Sequence, residues 1–444
     1  MNLELDLPRV VPIVRQHAAP ISYGRVGRIS GLLIEATTPG VSVGDLVEIE
    51  RDGDRVLAEV VGFRDDRSLM MPFSEVRGVT PGAIVRPATS AGSFPMSSDL
   101  LGRLVDPFGL PVDGGAPIEA ATLWPLERKA PPVELRARIS ERFETSIRAI
   151  DVLLACGRGQ RVGLFAGAGV GKTVLIRQIA MMSQADVTVI GLIGERGSEA
   201  RDILDGGLGD RTVGVVATSD RTPMERCRGA RAATAVAEFF RDQGKNVLLI
   251  LDSLTRYAMA LREIGLAAGE PPATKGYPPS VFAALPQLLE RAAPIRGGGS
   301  ITAFYTVLVE GDDLADPIAD SARSLLDGHI VLSRELAARG HFPAIDVLAS
   351  VSRVARQVMT ADAQSLEQRA RTVLSVKREV DELRSLGAYT AGTNPIYDDA
   401  VATGAKIMEW SRQTPLDEAN YNQSVAQLAA ILNQGRGPMR KVST

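Results

Sequence analysis

A glycine-rich loop between an apolar run and an amphipathic run carries the clearest chemistry in the sequence, GLFAGAGVGKTVLIRQIA. Glycines adopt positive φ readily and let backbone N–H groups approach phosphate oxygens. A helix beginning at Lys172 would add the partial positive charge of its N terminus. We expect Lys172 to reach the β- and γ-phosphates and the Thr173 hydroxyl to ligate Mg²⁺. The predicted nucleotide-binding residues of the loop are Gly167, Ala168, Gly169, Val170, Gly171, Lys172, Thr173 and Val174.

The loop departs from the strict phosphate-loop pattern at one position. That pattern places a glycine five residues before Gly171, where this chain has Ala166. An ordinary strand–turn–helix corner is the alternative interpretation. Gly-Lys-Thr after an apolar strand and before a helix is the context that identifies the motif. We therefore interpret the loop as phosphate-binding.

A second stretch with chemical meaning is NVLLILDSLTRYA, in which an apolar run ends at Asp252. Ligands of open α/β sheets bind beyond the carboxyl ends of the strands, where Asp252 would lie. We predict that Asp252 holds Mg²⁺ through water. The alternative is that Asp252 caps the next helix, a role that Ser253 could fill instead.

A third stretch, VTVIGLIGERGSEARD, ends another apolar run in Glu195 and Arg196. A carboxylate beside the γ-phosphate can align and polarise the attacking water, so Glu195 is the predicted catalytic carboxylate. Arg196 would fix that carboxylate or contact phosphate. A surface ion pair is the alternative, and the strand-end position beside two other motifs outweighs it.

A fourth stretch, GHFPAIDVLASVSRVARQ, holds an aromatic residue and a distant arginine. Phe342 precedes a proline and offers a flat face for adenine, although such a residue is more often part of a core. Arg353 stands among small polar residues, and its spacing alone does not distinguish it from a solvated surface arginine.

Composition sets limits without assigning a function. The 444 residues are enough for two or three domains, and the net charge of −3 gives no general attraction to nucleic acid or to anionic membrane. The two cysteines form no pattern and suit a reducing compartment, where we expect them to pack as small hydrophobic residues. The three histidines lack metal-ligand spacing. No apolar run reaches membrane-spanning length, and we expect a cytoplasmic protein whose membrane association is peripheral and goes through partners.

The elements that must position these residues fall into four predicted segments. Residues 1–20 are an N-terminal arm, either a helix on a partner or lipid or a frayed end. Residues 21–88 contain short β-type runs separated by turn residues, which predict a small closed barrel. Residues 89–350 alternate apolar strands with helices, as in an α/β domain with a mostly parallel sheet. Residues 351–444 are predicted to be helical.

The charge of the barrel segment bears on what it could bind. It has eight arginines and no lysine against ten acidic residues, and few aromatic residues. This composition disfavours nucleic-acid binding, and we interpret the barrel as an assembly collar.

Longer stretches of the chain resemble the ATPases of type III protein export, which serve flagella and injectisomes and are related to the catalytic subunit of the rotary ATP synthase. The resemblance runs from about residue 23 to residue 389. It is most specific in GRVGRISGLLIEA, REIGLAAGEPPATKGYPPSVFAALPQLLERA, VLVEGDDLADPIADSARSLLDGHIVLSRELA and LGAYTAGTNPIYDDAV. It implies a six-stranded N-terminal barrel, a RecA-like P-loop ATPase domain of α/β class and a C-terminal helical domain.

The resemblance also implies roles for single residues. Lys172 and Thr173 match the phosphate-loop lysine and the Mg²⁺ hydroxyl, and Asp252 matches the second Mg²⁺ ligand. Glu195 matches the catalytic carboxylate, Arg196 is its neighbour, and Arg256 is an expected active-site neighbour. Phe342 matches an adenine-stacking aromatic residue. Arg353 matches an arginine finger supplied by the adjacent subunit. Ala166 is common in this family, whereas Ser198 replaces a usual arginine, which puts an interface contact in doubt.

The implied function is hydrolysis of ATP with Mg²⁺ in a homo-oligomeric ring, a hexamer, that delivers and unfolds export substrates. The implied partners are a stator-like regulatory protein, a central stalk protein, an export gate membrane protein, and export chaperones or substrates. We favour the flagellar system over the injectisome. A rotary synthase subunit and an RNA translocase of RecA type are the alternatives. The first is disfavoured because Glu195 and Arg353 occur in one chain, and the second because the barrel is acidic.

Overall fold

A computed structural model describes residues 23–88, 92–205, 209–309 and 315–434. The predicted N-terminal arm, residues 1–20, lies outside these ranges.

Six strands form the N-terminal barrel. They are β1 (Gly24–Ser30), β2 (Leu33–Thr37), β3 (Leu46–Arg51), β4 (Asp54–Arg64), β5 (Arg67–Pro72) and β6 (Ile84–Pro87). The closed order is β1-β2-β5-β4-β3-β6. Alternate residues of β4, namely Val56, Ala58 and Val60, are fully buried in the barrel core, as the period of two along a strand requires. The predicted six-stranded barrel is confirmed.

An eight-stranded sheet forms the centre of the molecule. In chain order the strands after the barrel are β7 (Ser93–Met96), β8 (Leu104–Val105), β9 (Thr122–Pro125), β10 (Arg142–Phe143), β11 (Cys156–Gly157), β12 (Arg161–Ala166), β13 (Val187–Ile193), β14 (Thr212–Ala217), β15 (Asn246–Asp252), β16 (Ser300–Leu308), β17 (Gly328–Leu332) and β18 (Ile345–Ser352). The sheet order is β18-β17-β12-β16-β15-β13-β14-β8, while β7 pairs with β9 and β10 with β11. Neighbouring strands of the large sheet are parallel except β17 and β18.

Helices cover both faces of this sheet and continue beyond it. They are α1 (Arg148–Leu153), α2 (Lys172–Met182), α3 (Gly197–Asp205), α4 (Pro223–Asp242), α5 (Leu254–Ala268), α6 (Pro279–Leu289), α7 (Pro317–Leu325), α8 (Arg334–Ala338), α9 (Ala355–Val358), α10 (Ala361–Ser385), α11 (Pro395–Ser411) and α12 (Tyr421–Gln434). Every residue of β13 is buried, as expected for a parallel strand covered on both faces. The predicted α/β class and the C-terminal helices are confirmed, and the predicted boundary at residue 350 falls inside β18.

The barrel is fixed to the central sheet through helix α4. Phe73 and Met224 lie in one buried cluster, and Thr222, which caps α4, donates a hydrogen bond to the carbonyl of Phe73 at 3.1 Å. The Arg228 guanidinium on α4 lies 5.8 Å from the ring centre of Phe73, within the range of a cation–π contact. These contacts make barrel and sheet one packed unit.

Both cysteines are buried free thiols. Burial raises the pKa of Cys227 to about 12 and raises the pKa of Cys156 further, so they behave as the small hydrophobic residues predicted. Within the described ranges, none of the helices combines the length and the apolar composition needed to cross a membrane.

Candidate functional site

The glycine loop lies where the sequence predicts it, between the end of β12 at Ala166 and the start of α2 at Lys172. Gly169 and Gly171 have φ values of 76° and 87°, a left-handed region that other residues adopt only with strain. Gly171 is the N-cap of α2 and no side chain caps the helix there. The first N–H groups of α2 therefore point toward the loop as donors for an anion.

Lys172 and Asp252 meet at the carboxyl edge of the sheet. The Lys172 Nζ lies 2.5 Å from Asp252 Oδ1, and the Asp252 side chain is almost fully buried. Thr306 Oγ1 donates to the same carboxylate oxygen at 2.6 Å. Helix α5 is capped by Ser253, which accepts from the N–H of Arg256. Asp252 is thus not the helix cap, and its carboxylate is directed at the phosphate loop.

Glu195 stands beside this pair because β13 and β15 are adjacent strands, with Leu192 opposite Asp252. Its side chain is 7% exposed, which excludes a surface ion pair, and its Oε1 lies 3.7 Å from Lys172 Nζ. That buried oxygen accepts no hydrogen bond from any described residue. Burial raises the pKa of Glu195, the charge of Asp252 raises it further, and Lys172 opposes both. A buried carboxylate with an unused acceptor atom can orient a water molecule.

The sequence patterns predicted no role for two residues of this site. Glu199 on α3 accepts a hydrogen bond from Thr173 Oγ1 at 3.4 Å, and Thr306 contacts Asp252. Glu199 lies in the same stretch as Glu195, and the spacing of four residues was the available signal. Thr306 gave no such signal, because only the pairing of β15 with β16 brings it to Asp252.

Arg256, expected as an active-site neighbour, packs against the turn that carries Glu195. A Cβ built on Gly194 would lie 2.7 Å from the Arg256 Cβ, so this turn requires glycine. The charge of Arg256 lowers the pKa of Glu195, as the smallest of the influences on it. A cavity of about 680 Å³ lies between the phosphate loop and helix α5, with Ala168, Arg256 and Tyr277 in its lining.

Phe342 lies over the phosphate loop and is not part of a core. Its side chain is 43% exposed, and a Cβ built on Gly171 would lie 3.2 Å from two of its ring atoms. Val174, on the first turn of α2, is also half-exposed. The Phe342 ring therefore offers a flat, partly exposed face next to the backbone of the phosphate loop.

Arg353 lies at the opposite end of the sheet, where the parallel strands begin. It follows β18, which runs antiparallel to its neighbour, and its backbone N–H donates to the carbonyl of Asp327. Asp327 pairs with Arg161 at the start of β12, whereas the phosphate loop follows the end of that strand. The exposed Arg353 guanidinium donates to the carbonyl of Arg323 at 3.1 Å. Within one subunit the fold separates Arg353 from Glu195 by the length of a strand.

Arg196 is exposed at the beginning of α3, where its carbonyl accepts the N–H of Glu199. The structure therefore brings together Lys172, Thr173, Glu195, Asp252 and Phe342, and leaves Arg353 apart. The assembled residues form a phosphate-binding loop with a buried acid beside it and an aromatic face above it.

Comparison with protein families assigns most of the chain. Residues 26–88 match the beta-barrel domain of the ATP synthase alpha/beta family, and residues 146–352 match the nucleotide-binding domain of that family. Residues 359–430 match the T3SS EscN ATPase C-terminal domain.

Relatives and solved structures agree with these matches. The flagellum-specific ATP synthase of Salmonella typhimurium is 47% identical over 439 residues, 95% of this chain and 95% of that protein. The type 3 secretion system ATPase of Pseudomonas syringae pv. tomato is 46% identical over 430 residues, 94% and 96% of the two chains. The assembled ATPase EscN from the enteropathogenic E. coli type III secretion system superposes with a TM-score of 0.87 at 41% identity, over 92% of this chain and 100% of the chain in that structure. EscN in complex with its central stalk EscO gives 0.84 at 40% identity, with the same coverage.

Full-length similarity at this level, together with an intact phosphate loop, establishes the activity as well as the fold. The chain is an ATPase and belongs to the family of flagellum-specific and type III secretion ATPases.

Proposed function

We propose that this ATPase is the Mg²⁺-dependent motor of a flagellar export apparatus, working as a ring of identical subunits on the cytoplasmic side of the membrane. The observation that carries the proposal is that the two proposed catalytic groups lie at opposite ends of the strands of one sheet. Glu195 lies beside the phosphate loop, and Arg353 lies at the opposite edge of the same subunit. A ring lets the second group of one copy complete the site of the next.

ATP occupies the site through contacts that the chain already presents. The N–H groups at the start of α2 hold the phosphates, and the ring of Phe342 stacks on adenine. Lys172, bonded to Asp252 in this structure, turns to the β- and γ-phosphates when they arrive. This exchange moves one positive charge from a carboxylate to the nucleotide.

The residues at the loop fit a magnesium ion. Thr173 offers a hydroxyl and Asp252 a carboxylate, both hard oxygen donors, and Mg²⁺ in phosphate sites takes one or two carboxylates plus phosphate oxygens. When bound, the ion neutralises the charge that develops on the transferring phosphoryl group. The carboxylate of Glu199, which accepts from Thr173 in this structure, releases that hydroxyl.

Glu195 then orients the attacking water. Its buried Oε1 has acceptor capacity that the described residues do not use, and it lies beside Lys172, at the γ-phosphate end of the loop. Arg353 of the neighbouring subunit stabilises the negative charge of the transition state, a contribution of roughly 10³- to 10⁵-fold in rate. Arg196, exposed at the beginning of α3 next to Glu195, would contact phosphate.

A mixing experiment tests the shared site. Glu195→Gln alone and Arg353→Ala alone are each expected to be inactive as rings. In a mixture of the two, some interfaces pair the intact Glu195 of one variant with the intact Arg353 of the other, so part of the activity should return. Rings that are shown to contain both variants, yet remain inactive in steady state and in single-turnover hydrolysis, would contradict the proposal.

The assignment to the flagellar system rests on GRVGRISGLLIEA, and injectisome relatives share nearly the same identity. Flagellar rod and hook genes beside this one would favour the flagellar system, and needle genes the injectisome. By analogy with EscN and its central stalk EscO, we propose that a central stalk protein enters the ring. We further propose a stator-like regulator, an export gate in the membrane, and chaperones or substrates as partners.

A further inference from the structure

The hydroxyl of Thr306 lies inside the sheet, one hydrogen bond from the metal-facing carboxylate. Thr306 is fully buried on β16, and its Oγ1 donates to Asp252 Oδ1 at 2.6 Å. Strands β15 and β16 run parallel with Leu251 beside Tyr305, so Thr306 is the neighbour of Asp252 in the next strand. The sheet itself fixes the position of the hydroxyl.

Thr306 and Lys172 share one oxygen of Asp252. Lys172 Nζ lies 2.5 Å from Oδ1, the atom to which Thr306 also donates, and neither of these two bonds uses Oδ2. Two donors on one oxygen hold the plane of a carboxylate. Once a nucleotide draws Lys172 to its phosphates, Thr306 is the remaining side-chain donor on Asp252 among the described residues.

The bond is directed at the carboxylate although a backbone acceptor is near. The same Oγ1 lies 3.4 Å from the carbonyl of Leu251, the kind of partner that buried threonines commonly use. Thr234, for example, donates to the carbonyl of Ala230 within its own helix. The much shorter contact to Asp252 is charge-assisted and is the stronger of the two.

We propose that Thr306 is a positioning residue that holds the Asp252 carboxylate in the orientation needed to bind Mg²⁺ with the nucleotide. The inference rests on the proposed metal role of Asp252. Outer-shell partners of metal ligands typically contribute about 10- to 100-fold to metal affinity or activity.

The test measures Mg²⁺ binding without relying on turnover. A fluorescent ADP analogue bound to the full-length ATPase is titrated with Mg²⁺. Thr306→Val, which keeps the shape and removes the hydroxyl, should raise the Mg²⁺ midpoint about 10-fold and leave the metal-free affinity for the analogue unchanged. Thr306→Ser, which keeps the hydroxyl, should stay near the native midpoint. If Thr306→Val does not fold, the smaller Thr306→Ala replaces it.

Thr302 supplies a matched control on the same strand and the same face. It is buried, and its hydroxyl accepts the N–H of Gly159 at the other end of the strand. Thr302→Val should lower the thermal stability without moving the Mg²⁺ midpoint. A native midpoint in Thr306→Val, or an equal shift in Thr302→Val, overturns the inference.

Asp252→Asn separates this inference from the proposed function. If Asp252→Asn shifts the midpoint and Thr306→Val does not, the positioning role alone is wrong. If neither variant shifts it, the metal role of Asp252 is wrong as well.

Discussion

At the scale of single residues, one ammonium and two carboxylates share the centre of the site. Lys172 lies 2.5 Å from Asp252 and 3.7 Å from Glu195. Glu195 has a raised pKa, chiefly because it is buried. The folded protein therefore binds the proton of the Glu195 carboxyl group more tightly than the unfolded chain does. The contribution of Glu195 to the free energy of unfolding consequently falls as the pH rises through its folded-state pKa. A carboxylate that is buried beside a phosphate loop, although burial disfavours its charged form, is typical of a functional group.

The second residue that the geometry singles out is Phe342. Its ring lies over Gly171 with nearly half of its surface exposed. Stacking on a base is made equally in the ground state and in the transition state, so Phe342→Ala should raise the KM for ATP with little change in kcat. The expected increase is about 10-fold, from a stacking contribution of about 1–3 kcal/mol. Steady-state kinetics over a range of ATP concentrations measures it.

Two further variants give that measurement its controls. Phe342→Tyr keeps the aromatic face and should be nearly silent. Phe63, which is 51% exposed on the barrel strand β4, is a surface phenylalanine away from the loop, and Phe63→Ala should leave KM unchanged. A loss confined to kcat in Phe342→Ala would mean that the ring supports the fold rather than the base.

At the scale of elements, the proline-rich stretch between α5 and α6 is a loop with an anchored base and an exposed tip. Tyr277 is buried, and the Arg262 guanidinium lies 4.9 Å from its ring centre. The residues from Pro271 to Lys275 are all exposed. Prolines stiffen such a loop and remove backbone donors, so the tip is presented as a rigid surface.

We predict that this tip contacts the central stalk partner. In the assembled export complex, an amine-reactive crosslinker should join Lys275 to the stalk protein, and Lys275→Arg should abolish that crosslink while the complex stays assembled. Lys245, which precedes β15 at the opposite edge of the sheet, should give no stalk crosslink. Mass spectrometry of the linked peptides identifies the sites. Crosslinks from Lys275 to no partner would favour an inert connector.

The sequence predicted the fold and the site best where an apolar strand is followed directly in the chain by residues with functional side chains. The five strands β12 to β16 are predominantly apolar and largely buried. The phosphate loop, Glu195 and Asp252 each stand at or just after the end of such a strand. Strand β8, with two residues, is too short to leave a pattern. Strand β18 is only partly buried along its length, and its attachment as an antiparallel edge strand depends on long-range pairing that a linear pattern does not encode.

The same distinction applies to the site. Lys172 and Thr173 could be assigned from local spacing, because loop and helix are contiguous in the chain. Phe342 and Arg353 needed the family resemblance, since a lone aromatic residue or arginine has no local signal. Thr306 needed the register of β16 against β15, which only the folded sheet provides.

At the scale of the whole molecule, the C-terminal helices are tied to the nucleotide site. The side chain of Gln178 on α2 donates to the carbonyls of Thr414 and Asp417 at 3.2 and 3.1 Å. The backbone N–H of Gln413 donates to the carbonyl of Phe342 at 2.9 Å. The helix that begins with Lys172 and the residue proposed to stack on adenine both contact the segment that leads into α12. A change at the loop therefore has a direct route to the C-terminal helices.

In the proposed ring each subunit contributes to two sites, with Glu195 beside its own phosphate loop and Arg353 at the opposite end of the sheet, where it would reach the site of its neighbour. Since an arginine finger contributes roughly 10³- to 10⁵-fold, a monomer should be nearly inactive. We expect the rate per subunit to rise with protein concentration in step with the fraction of rings, which sedimentation velocity measures in the same samples. Arg353→Ala should form rings over the same concentrations and stay inactive throughout, which separates assembly from catalysis. A rate per subunit that is constant down to concentrations where only monomers sediment would show that each subunit carries a complete site, and Arg353 would then be a surface residue of the β18 edge.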